Sequence, residues 1–352
     1  MNVQEIMQTY PTRVDYLKQE CGNVSVLRIC CQQSNKEAFD SVRGTELSVG
    51  SSSVAQVIGL GKGKPKDFLN YKRQCLMDKN YAYQEQQAIL QSKGDPLLKG
   101  ETLEPLSSVI YEQLTGFQVY DGEFLKLKRD YPPSEFSSLL GEHEYDLYNN
   151  SSDGVVLLHN VAPVASQDEI ELSKTTTIFR LTFSQAMHPL SIVSHGLEIK
   201  NTFFRPCDSL PTIHNHSSSD VMKIDHIVQC QFQCWALGVE YVDYISTFFE
   251  WPIKIADSDD PTLDHSKARL KHVFLVRVHR SNEFIKEMLD RISKYHYAML
   301  TEQSDLPYGS YDIQKFLDQC HLEVIFNISE ADIASFDLAQ IYNVEPYFKR
   351  LW

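Results

Sequence analysis

Two acids and a lysine stand out by what surrounds them. Ser152-Asp153-Gly154 leads into an apolar run, and Gly196-Leu197-Glu198-Ile199-Lys200 ends another. Side chains alternate along a strand, so Glu198 and Lys200 share one face while Leu197 and Ile199 line the other. An ammonium beside two carboxylates suits metal-assisted phosphodiester hydrolysis. Hard oxygen ligands hold Mg²⁺, the ion acidifies water and shields phosphate charge, and a lysine can orient or help deprotonate the attacking water. On its own, Glu-x-Lys is a weak signal, because such pairs usually make a solvated polar face. The apolar Leu197 and Ile199 shift the balance by committing the opposite face to a core.

Other chemistry-bearing residues compete less well. The eight cysteines form no Cys-x-x-Cys pair, and Cys230 and Cys234 share a helix face without a second pair to complete a zinc site. His214 and His216 form a His-x-His, and His195 precedes the Gly-Leu-Glu run, but no third ligand follows at metal spacing. A net charge of −14 excludes a surface basic throughout, so contact with phosphates must rest on local patches. One such patch holds Lys62, Lys64, Lys66, Lys72 and Arg73, with Phe68 and Tyr71 interleaved.

The elements that must position these residues follow from pattern. Helices are expected over residues 54–58, 71–91, 103–114, 226–237, 282–299 and 311–320. Strands are expected over 117–120, 123–127, 154–159, 175–183, 190–200, 241–247, 272–278 and 322–326, with loops over 131–150 and 201–220. This order implies an α/β (α+β) fold, a mixed central sheet flanked by helices. No window has the roughly eighteen apolar residues of a membrane span, and residues 1–10 lack a secretory pattern. The expected location is cytoplasmic, nuclear or at a site of viral replication, not secreted.

Over residues 43–299 the chain resembles the lambda-exonuclease (YqaJ-type, viral alkaline exonuclease) family of PD-(D/E)XK nucleases. The family's Ser-Pro-Asp-Gly is similar to Ser151-Ser152-Asp153-Gly154, and its Gly-Leu-Glu-Leu-Lys to Gly196 through Lys200. A family helix with Gly-x-x-apolar-Glu, a second Glu eight residues on and a Thr-Gly close is matched by Gly100, Leu103, Glu104, Glu112, Thr115 and Gly116. Its Gln-x-Gln-x-x-x-Trp is matched by Gln229, Gln231 and Trp235. The chain departs from the family in the long interval between Asp153 and Glu198, which implies an insertion at about 160–190, and in Arg43 lying two residues farther from the serine than expected.

The resemblance implies a restriction-endonuclease-like core in a nuclease domain at 46–300, an N-terminal extension at 1–45 and a C-terminal appendage at 301–352. It implies a Mg²⁺-dependent exonuclease, with Mn²⁺ able to substitute, acting 5′ to 3′ on linear double-stranded DNA ends. The 3′ single-stranded tails would serve recombination, repair or viral genome processing. Asp153, Glu198, Lys200, Glu104 and Gln229 are the implied catalytic residues, with Asp153, Glu198, Glu104 and the Ile199 carbonyl around the metal. Ser52, Ser53, Lys62, Arg43, Gln231 and Arg280 are the implied DNA contacts. A single-strand annealing protein is the implied partner, and relatives are monomers or trimers. Two alternatives stay open: an endonuclease or RNA-cleaving nuclease of the same fold, and an inactive nucleic-acid-binding protein.

Overall fold

The computed structural model describes residues 15–21, 24–30, 48–78, 96–122, 124–129, 147–157, 193–202, 206–212, 221–250, 269–303 and 305–333. Arg43, the 160–190 insertion, the strand expected at 175–183 and the pair His214 and His216 lie outside these residues.

Eleven strands among the described residues make two sheets: β1 (Asp15–Cys21), β2 (Val24–Cys30), β3 (Val49–Gly50), β4 (Val119–Asp121), β5 (Phe124–Arg129), β6 (Tyr148–Ser151), β7 (Gly154–Leu157), β8 (Val193–Thr202), β9 (Tyr241–Glu250), β10 (Arg269–His279) and β11 (Leu322–Ser329). The smaller sheet has the order β1-β2-β5-β6-β3, and the larger the order β11-β10-β9-β8-β7-β4. The larger sheet is mixed: β8 and β9 run parallel, while the other neighbours are antiparallel. The helices are α1 (Val54–Ile58), α2 (Pro65–Met77), α3 (Pro96–Thr115), α4 (Ile224–Leu237), α5 (Asn282–Leu300), α6 (Ile313–Gln319) and α7 (Glu330–Ile333). The α/β class expected from the sequence, a mixed sheet flanked by helices, is the one found.

Alternation along the strands sends side chains into two cores. Val155, Val242, Tyr244, Phe274, Val276 and Val278 pack with α1, α4 and α5, whereas Val156, Leu197, Ile199, Ile245, Val273 and Leu275 pack with α3. Each large apolar side chain so buried contributes about 1.5–3 kcal/mol. Apart from Asp225 and His226, every residue of α4 is buried. Among the described residues, no helix is long and apolar enough to cross a membrane.

Several elements differ from expectation. β1 and β2 pair antiparallel and β2 pairs in turn with β5, and β6 begins inside the stretch expected to be a loop. The helix expected at 71–91 begins six residues earlier, because Pro65 fits the first helical turn where its missing N–H costs nothing. The stretch expected as a C-terminal appendage supplies β11, which pairs along β10 at the edge of the larger sheet.

Candidate active site

Asp153 sits in the tight passage between β6 and β7, and close backbone packing fixes its place. A Cβ added at Gly122 would lie 1.7 Å from the Ser152 carbonyl oxygen, and one at Gly154 would lie 2.6 Å from Val119 Cγ1. Only glycine lets the chain approach so closely at both points. Gly154 pairs with Leu197, so the β7–β8 register brings Asp153 alongside the Glu198 end of β8.

There the Ile199 amide donates to Asp153 Oδ2 at 2.6 Å. Lys200 Nζ lies 4.0 Å from the same Asp153 oxygen and donates to Glu198 Oε1. Glu198 is fully buried, while the Lys200 side chain is 30% exposed at the mouth of the site. Burial alone would push the Lys200 ammonium down, but the carboxylates of Glu198, Asp153 and Glu104 outweigh it and raise its pKa well above the ordinary lysine value. Glu198 and Asp153 therefore flank one cation, Glu104 acts on it through its charge, and that cation stays protonated.

Glu104 is half-buried on α3. Glu104, Ser107 and Tyr111 recur at spacings of three and four, which places them on one helix face. Ser107 Oγ lies 2.6 Å from Asn201 Oδ1, next to Lys200, and 2.8 Å from Thr247 Oγ1. Tyr111 Oη donates to Asp243 Oδ2 at 2.7 Å. These polar contacts set the height of α3, and so of Glu104, against β8. Glu112 Oε1 accepts from the Val119 amide at 2.8 Å, holding the chain as it enters β4.

The glutamines of α4 divide in a way the sequence did not reveal. Gln233 donates to Glu198 Oε2 at 2.5 Å, so it is Gln233 that reaches the acid. The Gln233 Oε1 atom is buried without a hydrogen-bond partner among the described residues. Gln229, one turn away on the same face, is 9% exposed. The expectation that Gln231 meets DNA gives way: it is fully buried, donating to the His279 carbonyl at 2.6 Å and accepting from the Ser281 amide at 2.9 Å. Arg280 is likewise committed, donating to the Cys234 carbonyl at 2.7 Å and to Asn282 Oδ1 at 2.7 Å, where it closes the C-terminal turn of α4. A free-standing DNA contact from either side chain would cost these bonds.

The residues expected to meet a DNA end lie around α1. Ser52 is exposed, whereas Ser53 Oγ is engaged within its own turn, with the Gly50 amide and carbonyl each at 3.1 Å. Lys62 and Lys64 are exposed, but Lys66 pairs with Asp305 at 2.6 Å. Arg73 Nη2 donates to the Ala298 and Gln303 carbonyls at 2.8 and 2.6 Å, so it caps α5 rather than extending the basic patch.

His195 proves to be a core histidine. Its Nε2 lies 2.7 Å from Tyr111 Oη and its ring stacks on Tyr241 at 4.6 Å, while Arg277 makes two bonds to Asp243 at 2.9 and 3.0 Å. Tyr111 spends its one proton on Asp243, so the network assigns the His195 proton to Nε2. Burial, opposed by Asp243 and reinforced by Arg277, lowers its pKa from 6.5 to about 4. As pH falls below about 6.5 the unfolded chain takes up this proton before the folded chain does. His195 thus contributes stability that is complete above pH ~6.5 and is lost on the way to pH ~4, on the order of 3 kcal/mol. Urea unfolding at pH 7.5 and pH 4.5 should show His195→Gln with a smaller acid-induced loss than the parent; equal losses would refute the assignment.

The donor set fits a hard divalent ion. Two carboxylates already converge on one cation, Lys200 Nζ, and the Ile199 carbonyl belongs to the residue whose amide binds Asp153. Among the described residues no group of three His, Cys, Asp or Glu side chains is placed to hold a metal. Mg²⁺ does not need three, since it takes one or two carboxylates and keeps several waters.

No family model and no curated protein matches the chain. Among solved structures it is similar to the alkaline exonuclease LHK-Exo from Laribacter hongkongensis, at 17% identity and a TM-score of 0.40 over 76% of this chain and 93% of that one. The same enzyme in complex with dAMP gives 18% and 0.35 over the same shares. A phage-related exonuclease from Haemophilus somnus 129PT gives 15% and 0.37 over 73% of this chain and 96% of that one. Scores this low carry no argument about activity, which rests on the chain's own residues.

Proposed function

We propose that this chain is a Mg²⁺-dependent DNA exonuclease acting 5′ to 3′ on linear duplex ends, with Mn²⁺ able to substitute. The observation that carries the reading is the meeting of Asp153, from the turn before β7, and Glu198, from β8, around Lys200 Nζ. Asp153, Glu198 and the Ile199 carbonyl would hold the ion, with Glu104 completing its surroundings. Once bound, it supplies Lewis acidity toward water and phosphate oxygen. Held as an ammonium, Lys200 donates to the attacking water or a phosphate oxygen and places it, rather than removing its proton. Gln233 fixes the Glu198 carboxylate. Gln229, one turn before Gln233 on the same helix face, would donate its amide to the reacting phosphate without adding charge. Ser52 and Lys62 would receive the phosphate of the DNA end.

The 3′ tails so made are substrates for a single-strand annealing protein in recombination, repair or viral genome processing. The discriminating experiment offers the protein four substrates in Mg²⁺ and again in excess EDTA: linear duplex labelled at either end, closed circular duplex, and RNA. Loss of the 5′ label from linear duplex first, with circles and RNA spared and EDTA silencing all cleavage, is the expected result. Nicking of circles or cutting of RNA at a comparable rate would replace the reading with an endonuclease or ribonuclease, and no cleavage at all with a binding protein.

A further inference from the structure

His226 is a chemistry-bearing residue that the preceding mechanism does not use. It lies in the first turn of α4, one turn before Gln229 and two before Gln233, and with Asp225 it is partly exposed where the rest of the helix is buried. Its Nδ1 lies 3.0 Å from Tyr244 Oη. Tyr244 is buried and pairs with Glu198 across β8 and β9, and burial holds its hydroxyl protonated far above the ordinary range. With that hydroxyl donating to Nδ1, the Ser246 hydroxyl is left to donate to the phenol oxygen. The ring therefore carries its own proton on Nε2, which makes no hydrogen bond among the described residues.

Burial first, and then the charges of Lys200, Lys223 and Lys62, keep the ring uncharged. Those charges are Lys200 on β8, the exposed Lys62 of the loop after α1, and Lys223, which precedes α4. An N–H donor among cations is suited to meet an anion.

We propose that His226 is a substrate-contacting residue, its Nε2–H donating to a non-bridging phosphate oxygen of a DNA strand bound beside Glu198. This rests on the nuclease reading for the nature of the anion, not for the position of the donor. The test measures binding of a 5′-phosphorylated DNA duplex to the full chain by fluorescence anisotropy in EDTA at fixed salt, beside Mg²⁺-dependent cleavage by the same preparations. His226→Ala should weaken binding about tenfold or more, as expected for a lost hydrogen bond to a charged group. His226→Gln, which keeps an N–H donor, should recover most of the loss. Tyr244→Phe should fall between them, because it frees the ring to carry its proton on Nδ1. Binding by His226→Ala equal to the parent, or His226→Gln as weak as His226→Ala with both folded by circular dichroism, would overturn the proposal. If the parent cleaves in either case, the nuclease reading survives that failure. A parent that never cleaves but loses binding on His226→Ala would leave the contact standing and remove the nuclease reading.

Discussion

Lys200→Ala is expected to slow phosphodiester cleavage by roughly 10³-fold or more, the scale of losing a positioned donor together with its charge stabilisation. Lys200 Nζ is the point at which Glu198 and Asp153 meet, so no other side chain in that arrangement supplies its cation. Lys200→Arg should recover little, because a planar fork cannot occupy the place of a compact ammonium between two carboxylates. Glu198 keeps its bond from Gln233, and the lysine is partly exposed, so the fold should survive the substitution. Single-turnover cleavage of linear duplex in Mg²⁺, with the melting temperature as control, reads both effects. Rates for Lys200→Ala within tenfold of the parent would remove the lysine from the chemistry.

Asp243→Ala should have the largest effect on stability, on the order of 3 kcal/mol. Its carboxylate is fully buried and holds both the Arg277 guanidinium and the Tyr111 hydroxyl, so truncation leaves a charge and a donor without their acceptor. Arg277 is 23% exposed and can recruit water, which keeps the loss at the lower end for a broken buried pair. Asp243→Asn, still an acceptor for Tyr111, should lose less. Urea midpoints at pH 7.5 measure the order; a loss for Asp243→Ala below about 1 kcal/mol would show that the network carries little of the stability.

What was legible in the sequence was local. Leu197 and Ile199 alternate with Glu198 and Lys200, and this period-2 pattern alone gave the strand, its core face and the shared face of the acid and lysine. The helix at 226–237 was readable from its uninterrupted run and from Gly238, which adopts the left-handed conformation expected after a helix end. Non-local pairings were not legible. The β1–β2 pair gains its place from β5, about a hundred residues later, and the anchoring of Asp153 by the Ile199 amide exists only once β7 and β8 are in register. Gln229 and Gln233 lie on the same helix face, so spacing could not say which reaches Glu198. The polar character of Gln231 and Arg280 pointed outward, but both spend their donors on backbone groups where α4 meets β10 and α5. His226 went unread because nothing in its neighbourhood marks it; its i, i+3 and i+7 relation to Gln229 and Gln233 was the available signal.

If Asp153 and Glu198 share a divalent ion, an anomalous-scattering map from crystals soaked in Mn²⁺ shows it. The expected map has a peak bounded by the two carboxylates and the Ile199 carbonyl, with Lys200 Nζ displaced from Glu198 to make room. A map at saturating Mn²⁺ with no density there, or with its strongest peak at other ligands, would contradict it.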